Sequence, residues 1–293
     1  MFFKKLFNIK NIEVEFNKNL TNKLSFKPQN MLCFCYILCK TEKSLKNVIK
    51  LLKKHQKNYY FLGNGSNTIF ENNFYDGFIL QFAKNKIKIN KNYLKISSDI
   101  NFFKLHRILM ENSLGGLEWA YGIPASVGGA VFMNAGAYNH EISSYVKKVK
   151  VFFAGKIFWV KNFWFAYRNS FFQQNNMIIL EVVLKLQRSS PENILSLQRE
   201  YLKKRKLTQP VNFPSAGSVF KRENEILPAK IIDELGLKGK KHGGAYVSTK
   251  HSGFIVNKKS ATSEDYFCLA NEIKNIVKEK ANISLHFEVK FVK

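Results

Sequence analysis

Residues 31–38 are an unbroken apolar run, Met-Leu-Cys-Phe-Cys-Tyr-Ile-Leu, which predicts a buried strand. After it, Leu45, Val48, Ile49 and Leu52 recur at helical spacing, and residues 59–62 predict a second short strand. That strand runs directly into Gly63-Asn64-Gly65-Ser66-Asn67, and a glycine loop at the end of a buried strand is a common ligand position. Strand character resumes over 78–82 and 86–96, a helix is predicted over 102–111 before Gly115-Gly116, and strands dominate 146–186. Ser190-Pro191 then opens a helix, Ser as cap and Pro in the first turn, with Ile194, Leu197, Tyr201 and Leu202 on one face. A last helix over 264–280 starts at a capping box of Thr262 and Asp265. It leads to a strand over 284–292, where Leu285, Phe287, Val289 and Phe291 alternate with His286, Glu288 and Lys290. The pattern divides the chain into three units, residues 1–77, 78–188 and 189–293, of mixed α+β character.

The 293 residues are 45% hydrophobic, enough to fill a sizeable core and to argue against disorder. A net charge of +26 suits a nucleic-acid or other anionic partner. The lysines are spread through the chain, however, and the one compact run, Lys203-Lys204-Arg205-Lys206, falls where a solvated helix end is expected. The same charge suits a substrate and cofactor that both carry phosphates. Cys33, Cys35, Cys39 and Cys268 have neither C-x-x-C nor zinc-site spacing, so buried free thiols in a reducing compartment are expected, and no metal. No apolar stretch is long enough to cross a bilayer and the first residues lack the pattern of a signal peptide, so the reading is a soluble, cytoplasmic protein without membrane insertion.

The loop Gly63, Asn64, Gly65, Ser66, Asn67 offers backbone N–H groups where side chains do not obstruct a phosphate, although alone it reads equally as a tight turn. It lacks the endings of a Walker loop and of G-x-G-x-x-G. A second glycine segment, Gly122-Ile123-Pro124-Ala125-Ser126-Val127-Gly128-Gly129-Ala130, places Ser126 as the cap of a helix whose first turn holds two glycines. That start offers N–H donors to an anion, or else close helix packing through Gly128 and Gly129. Two such cradles suggest a dinucleotide pyrophosphate. Tyr167-Arg168-Asn169-Ser170 sets an arginine between strand-like segments, where it can fork onto a carboxylate or phosphate or act as a surface ion-pair partner. Pro214-Ser215-Ala216-Gly217-Ser218-Val219-Phe220-Lys221 presents Ser218 on a small-residue turn without the G-x-S-x-G of a hydrolase.

Taken in this order, these segments resemble the MurB family, the UDP-N-acetylenolpyruvoylglucosamine reductases, in its shorter type II form. The resemblance covers roughly residues 59 to 292 and is most specific at 63–67, 118–138, 167–171 and 214–257. It implies a two-part FAD-binding domain of the p-cresol methylhydroxylase/vanillyl-alcohol oxidase type and a C-terminal α+β substrate-binding domain. It also implies an NADPH-dependent reductase acting in peptidoglycan precursor synthesis. There NADPH reduces FAD, hydride passes from flavin N5 to the enolpyruvyl C3 of a UDP-sugar, and a proton reaches C2. The family's motifs place Ser218 as proton donor, Arg168 and Glu288 as stabilisers of the enolate, and Tyr167 and Lys221 as substrate contacts. Cofactor contacts carry over to Gly63, Asn64, Gly65, Ser66, Asn67, Gly122, Ile123, Pro124, Ser126, Gly128, Gly129 and Ala130. A monomer is expected. The segment 25–38 lacks the family's usual glycines, Ala125 replaces a common glycine, and Arg222-Glu223 stands where a proline is usual. The rival readings are another FAD oxidoreductase on the same scaffold, a basic nucleic-acid-binding protein, and an inactive relative. The covalently flavinylated branch is disfavoured because 63–67 holds no histidine.

Overall fold

A computed structural model describes residues 1–223 and 225–293. They divide into two compact units: Met1–Phe16, Cys35–Asn64 and Gly77–Lys203 form the first, and Asn17–Phe34, Gly65–Asp76 and Lys204–Lys293 the second.

In the first unit, parts of the strands Ile12–Asn19, Leu32–Cys39, Phe74–Phe82 and Tyr59–Phe61 form a sheet in that order. The last two run parallel, with Tyr59 opposite Phe78. The helix Glu42–Lys54 buries Leu45, Val48, Ile49 and Leu52, as the spacing predicts, and starts on a reciprocal Thr41–Ser44 cap. A helix over Phe2–Phe7, absent from the sequence reading, sets Phe2 edge-on to Phe78 at 5.6 Å.

The second sheet of this unit has five antiparallel strands in the order Lys156–Val160, Val146–Phe153, Ile178–Lys185, Tyr93–Ser97, Ile87–Asn90. The single strand expected over 86–96 is thus a hairpin, turned at Lys91 with a left-handed φ of 54°. The helix Phe102–Glu111 appears as predicted, with Asn101 accepting from the Lys104 N–H at its start. Leu94, Ile96, Val149, Val182 and Leu184 of the sheet share one core with Leu105, Leu109, Trp119, Val127 and Val131. Each such side chain contributes about 1.5–3 kcal/mol by leaving water. The expected strand-rich stretch is broken by a short helix, Phe171–Gln174, because the Ser170 hydroxyl caps the Gln173 N–H.

A chain of charges crosses this unit. Glu42 accepts from Lys84 and Lys150, both at 2.6 Å, and Glu181 accepts from Lys84 at 2.7 Å with Lys95 at 3.3 Å. Burial pushes both carboxyls up, but the lysine hydrogen bonds outweigh it and hold them below the usual carboxylate range.

His106 is only 2% exposed, edge-on to Phe102 and Tyr121. Burial pushes its imidazole down from 6.5 to about 4, against a smaller opposing effect of a hydrogen bond with the Ala120 backbone. The unfolded chain therefore takes up this proton more readily than the folded one. The stability tied to neutral His106 is complete above about pH 6.5 and is lost as pH falls toward 4, by at most about 3 kcal/mol. Urea midpoints should fall over that window, and His106→Gln should lack that part of the slope. An identical pH profile in the variant would remove His106 as the cause.

In the second unit, Ser215–Ser218, Phe254–Asn257, Ala245–Val247 and Lys241–His242 form an antiparallel sheet in that order. The helix Ser263–Ala281 starts on the Thr262–Asp265 capping box and buries Tyr266, Leu269, Ala270, Ile273 and Val277. Lys290–Val292 pairs in parallel with Thr68–Phe70. Regular strand structure covers only these three of the residues 284–292. Leu285 and Val289 are buried as the alternation predicts, His286 is exposed, and Glu288 and Lys290 are half-buried.

Two further expectations are corrected. In the helix Pro191–Thr208, opened by Ser190 Oγ accepting from the Asn193 N–H, Arg205 is buried and donates to Gln209 Oε1 at 2.8 Å. The lysine-arginine run is therefore not solvated throughout. Cys33, Cys35 and Cys39 are buried free thiols, but Cys268 is partly exposed. Burial, opposed by a Ser44 hydrogen bond, raises the Cys39 thiol to about 12. Among the described residues no helix is long and apolar enough to cross a membrane.

Candidate active site

Gly65 adopts a left-handed φ of 62°. A Cβ there would lie 2.1 Å from the Lys23 carbonyl oxygen, and the Ser25 N–H donates to Gly65 O at 3.0 Å. Lys23, Leu24 and Ser25, where the segment lacking the family's glycines begins, thus close tightly against the loop. The backbone N–H groups of Gly63, Asn64, Gly65, Ser66 and Asn67 make no hydrogen bond to another described residue. Successive free N–H groups around a left-handed residue form an anion-binding nest, so these residues fit a cofactor pyrophosphate.

The two glycine segments meet at Asn64, whose Nδ2 donates to Pro124 O at 2.6 Å, and Gly63 O accepts from Gln81 Nε2 at 2.6 Å. Beyond Pro124 the structure departs from the expected cradle. Ser126 caps the helix Val127–Phe132, as predicted, but the first N–H groups are already engaged. Val127 N donates to Ile100 O at 2.9 Å, Gly128 N to Ser98 O at 2.9 Å, and Gly129 N to Ser126 Oγ at 3.2 Å. A Cβ on Gly128 would come within 2.6 Å of Ser98 Cβ. Gly128 therefore serves close packing, and the N–H groups of Val127, Gly128 and Gly129 are engaged where those of 63–67 are open to an anion.

Tyr167 and Arg168 form the turn between Phe165–Ala166 and Asn169–Ser170, with Arg168 at a left-handed φ of 51°. A large side chain held there is strained backbone of the kind concentrated at functional sites. The Arg168 guanidinium donates from Nη2 to Gly136 O at 3.0 Å and lies over the Tyr167 ring at 5.1 Å. Asn169 and Ser170, the rest of the motif, are structural: Ser170 Oγ donates to Phe132 O at 2.7 Å, and Asn169 Oδ1 accepts from Gln173 Nε2 at 3.1 Å.

In the second unit three predicted residues come together. Ser218 ends the strand Ser215–Ser218, after a bulge at Gly217 with φ 81°. The next carbonyl, Val219 O, accepts from the Glu288 N–H at 2.8 Å, and Lys221 N donates to His286 O at 2.9 Å. The Phe220 and Phe287 rings stack at 5.3 Å between these contacts. The segments carrying Ser218, Lys221 and Glu288 are thus bonded neighbours. Asn67 secures the other side, its Nδ2 donating to Glu288 O at 3.0 Å and its own carbonyl accepting from Lys290 N at 3.0 Å. The Asn67 side chain is therefore spent on the Glu288 segment. Burial, and then the charge of Lys221, pushes the Lys290 ammonium below its ordinary value, so two cations share this region. Paired ammonium groups suit phosphates.

Sequence reasoning did not single out Asn134, although a lone polar residue in the small, apolar stretch 130–137 was a signal for a buried amide. It is completely buried and hydrogen-bonded beside the Arg168 turn.

Residues 34–160 match the model of an FAD binding domain, and residues 209–292 match that of the C-terminal domain of UDP-N-acetylenolpyruvoylglucosamine reductase. The UDP-N-acetylenolpyruvoylglucosamine reductase of Clostridium tetani is 37% identical over 289 residues, covering 96% of this chain and 93% of the relative. Its counterpart in Thermotoga maritima is 40% identical over 250 residues, covering 84% and 87%. The crystal structure of UDP-N-acetylenolpyruvylglucosamine reductase from Thermus caldophilus superposes with a TM-score of 0.79 at 28% identity, covering 96% of this chain and 99% of that one. With relatives this similar along nearly the whole chain, and an FAD binding domain in its N-terminal half, the protein belongs to the UDP-N-acetylenolpyruvoylglucosamine reductase family.

Proposed function

We propose that this chain reduces the enolpyruvyl ether of UDP-N-acetylglucosamine to UDP-N-acetylmuramate, with FAD as resident cofactor and NADPH as reductant. The observation that carries the reading is the hydrogen-bonded juxtaposition of the Ser218 and Glu288 segments beside Lys221. When bound, FAD would supply the hydride-transfer chemistry that links NADPH to C3 of the substrate. The residues of the chain do the rest. As C3 gains hydride, negative charge builds toward C2 and the carboxylate, and groups fixed in advance lower that barrier. The role of Arg168 is to stabilise the carboxylate charge, and that of Glu288 to hold the enol form. Ser218 Oγ gives its proton to C2, completing the lactyl ether, and recovers a proton from solvent. An enolate is basic enough for a hydroxyl to serve. Lys221 and Tyr167 hold the phosphates and sugar. Gly63, Asn64, Gly65, Ser66 and Asn67 hold the cofactor pyrophosphate through their N–H groups, with Gly122, Ile123, Pro124 and Ser126 beside them.

We assign residues 1–77 and 78–188 to the cofactor and 189–293 to the sugar nucleotide; the FAD-binding match over 34–160 and the C-terminal-domain match over 209–292 support a cofactor part followed by a C-terminal part. We assign the enzyme to the cytoplasm as a monomer, in peptidoglycan precursor synthesis, without a nucleic-acid partner.

The test is a visible absorption spectrum under anaerobic conditions. A flavin spectrum that bleaches with NADPH and returns on adding the enolpyruvyl nucleotide is expected. Bleaching without return points to another FAD oxidoreductase on this scaffold. A colourless protein that FAD does not reconstitute, and that binds nucleic acid with steep salt dependence, points to the basic-protein reading.

A further inference from the structure

The position of Arg168 depends on two hairpins. One, Phe165–Ala166 with Asn169–Ser170, carries the residue itself. The other, Gly136–Ala137 with His140–Glu141, carries the Gly136 carbonyl that accepts from its Nη2. One buried amide joins them. Asn134 Nδ2 donates to Glu141 Oε2 at 2.8 Å and to Ala166 O at 3.0 Å, while its Oδ1 accepts from the Ser143 N–H at 3.3 Å. Two acceptors and one donor around the group settle which way the amide points. Glu141 is held in turn by Ser143 Oγ at 3.3 Å. The Gly136 hairpin has little freedom to drift, since a Cβ on Gly136 would fall 2.6 Å from His140 O. Asn134 itself has a left-handed φ of 46°, which asparagine tolerates better than most residues.

We propose that Asn134 is a positioning residue for Arg168: by spending its two N–H bonds on the two hairpins, it sets the guanidinium where the charge of the reacting carboxylate develops. The inference rests on the role given to Arg168 above. Groups that hold a functional residue from behind, as the outer-shell partners of metal ligands do, change activity by about 10–100-fold when lost, and the same scale is expected here.

Asn134→Asp keeps the size and the left-handed backbone but turns the Nδ2 donor into an oxygen facing Glu141 Oε2 and Ala166 O. It is measured by anaerobic stopped-flow beside Arg168→Lys and the double variant. Flavin reduction by NADPH should stay within about twofold of wild type, while reoxidation by the enolpyruvyl nucleotide slows about 10–100-fold. Because Asn134 acts through Arg168, the double variant should be no slower than Arg168→Lys alone. Glu141→Ala removes one partner at a partly exposed position and covers the case in which Asn134→Asp does not fold. It should show a smaller loss, about three- to tenfold, that is likewise absent in the Arg168→Lys background. Losses that multiply in the double variants, or wild-type reoxidation in Asn134→Asp and Glu141→Ala while Arg168→Lys is slow, overturn the positioning role alone. Wild-type reoxidation in Arg168→Lys overturns the role of Arg168 and this inference with it.

Discussion

In Ser218→Ala, flavin should be reduced by NADPH at the wild-type rate and then reoxidised by the enolpyruvyl nucleotide about 10²–10⁴ times more slowly. The two half-reactions separate because only the second requires a proton at carbon. A positioned proton donor is worth about that factor, or about 3–5 kcal/mol of barrier. Few other effects of the substitution compete. Ser218 is half-buried at the end of a strand paired with Phe254, its hydroxyl makes no hydrogen bond to another described residue, and the neighbouring Val219 N–H is held by Gly253 O at 3.0 Å. Removing one oxygen leaves the turn and the Val219–Glu288 bond intact, so substrate affinity should change little. Glu288→Gln provides the contrast: it keeps the shape, removes the charge, and should slow the same half-reaction. Reoxidation of Ser218→Ala at a near-normal rate removes Ser218 from the chemistry.

The second large effect is expected at Gly65. Alanine there must hold a left-handed φ and place Cβ 2.1 Å from Lys23 O and 3.0 Å from Leu24 Cα, both backbone atoms that cannot rotate away. Strain of about 1–3 kcal/mol and overpacking of about 1–3 kcal/mol add to about 2–6 kcal/mol. For a chain of this size that is a fall in Tm of about 5–15 °C. The same distortion turns the N–H groups of the nest apart, so Gly65→Ala should purify with little flavin and regain little when FAD is added. Gly128→Ala separates the two effects. It also overpacks, against Ser98, but its N–H already donates to Ser98 O, so it should lose stability while retaining flavin. Flavin retained in Gly65→Ala and lost in Gly128→Ala would return the pyrophosphate to the second glycine segment.

Most elements were legible because their signals are local. The spacing of Leu45, Val48, Ile49 and Leu52 is the helix Glu42–Lys54, and the Thr262–Asp265 box starts the helix Ser263–Ala281. The misses have local causes of another kind. Lys91 turns a hairpin without glycine, and Ser170 caps a helix of four residues, too short for periodicity to register. The strand over 284–292 is regular only where Thr68–Phe70 pairs with it, a partner more than two hundred residues away in sequence.

For the site, each motif read alone left a bland use open, a tight turn, a surface arginine or a structural turn serine, and it was their order along the chain, resembling that of the family, that picked out the glycine segments, the arginine turn and the serine turn. Which N–H groups are open to an anion was a different matter. A donor's availability depends on whether a distant carbonyl reaches it, as Ser98 O and Ile100 O reach the N–H groups of the Val127–Phe132 helix while no carbonyl of the described residues reaches those of 63–67. The bond of Val219 O, next to Ser218, with the Glu288 N–H and the clamp of Asn134 on two hairpins likewise depend on contacts between segments far apart in the chain. One-dimensional patterns record what each segment can do alone; the partners that engage or free its polar groups are set only when the chain packs.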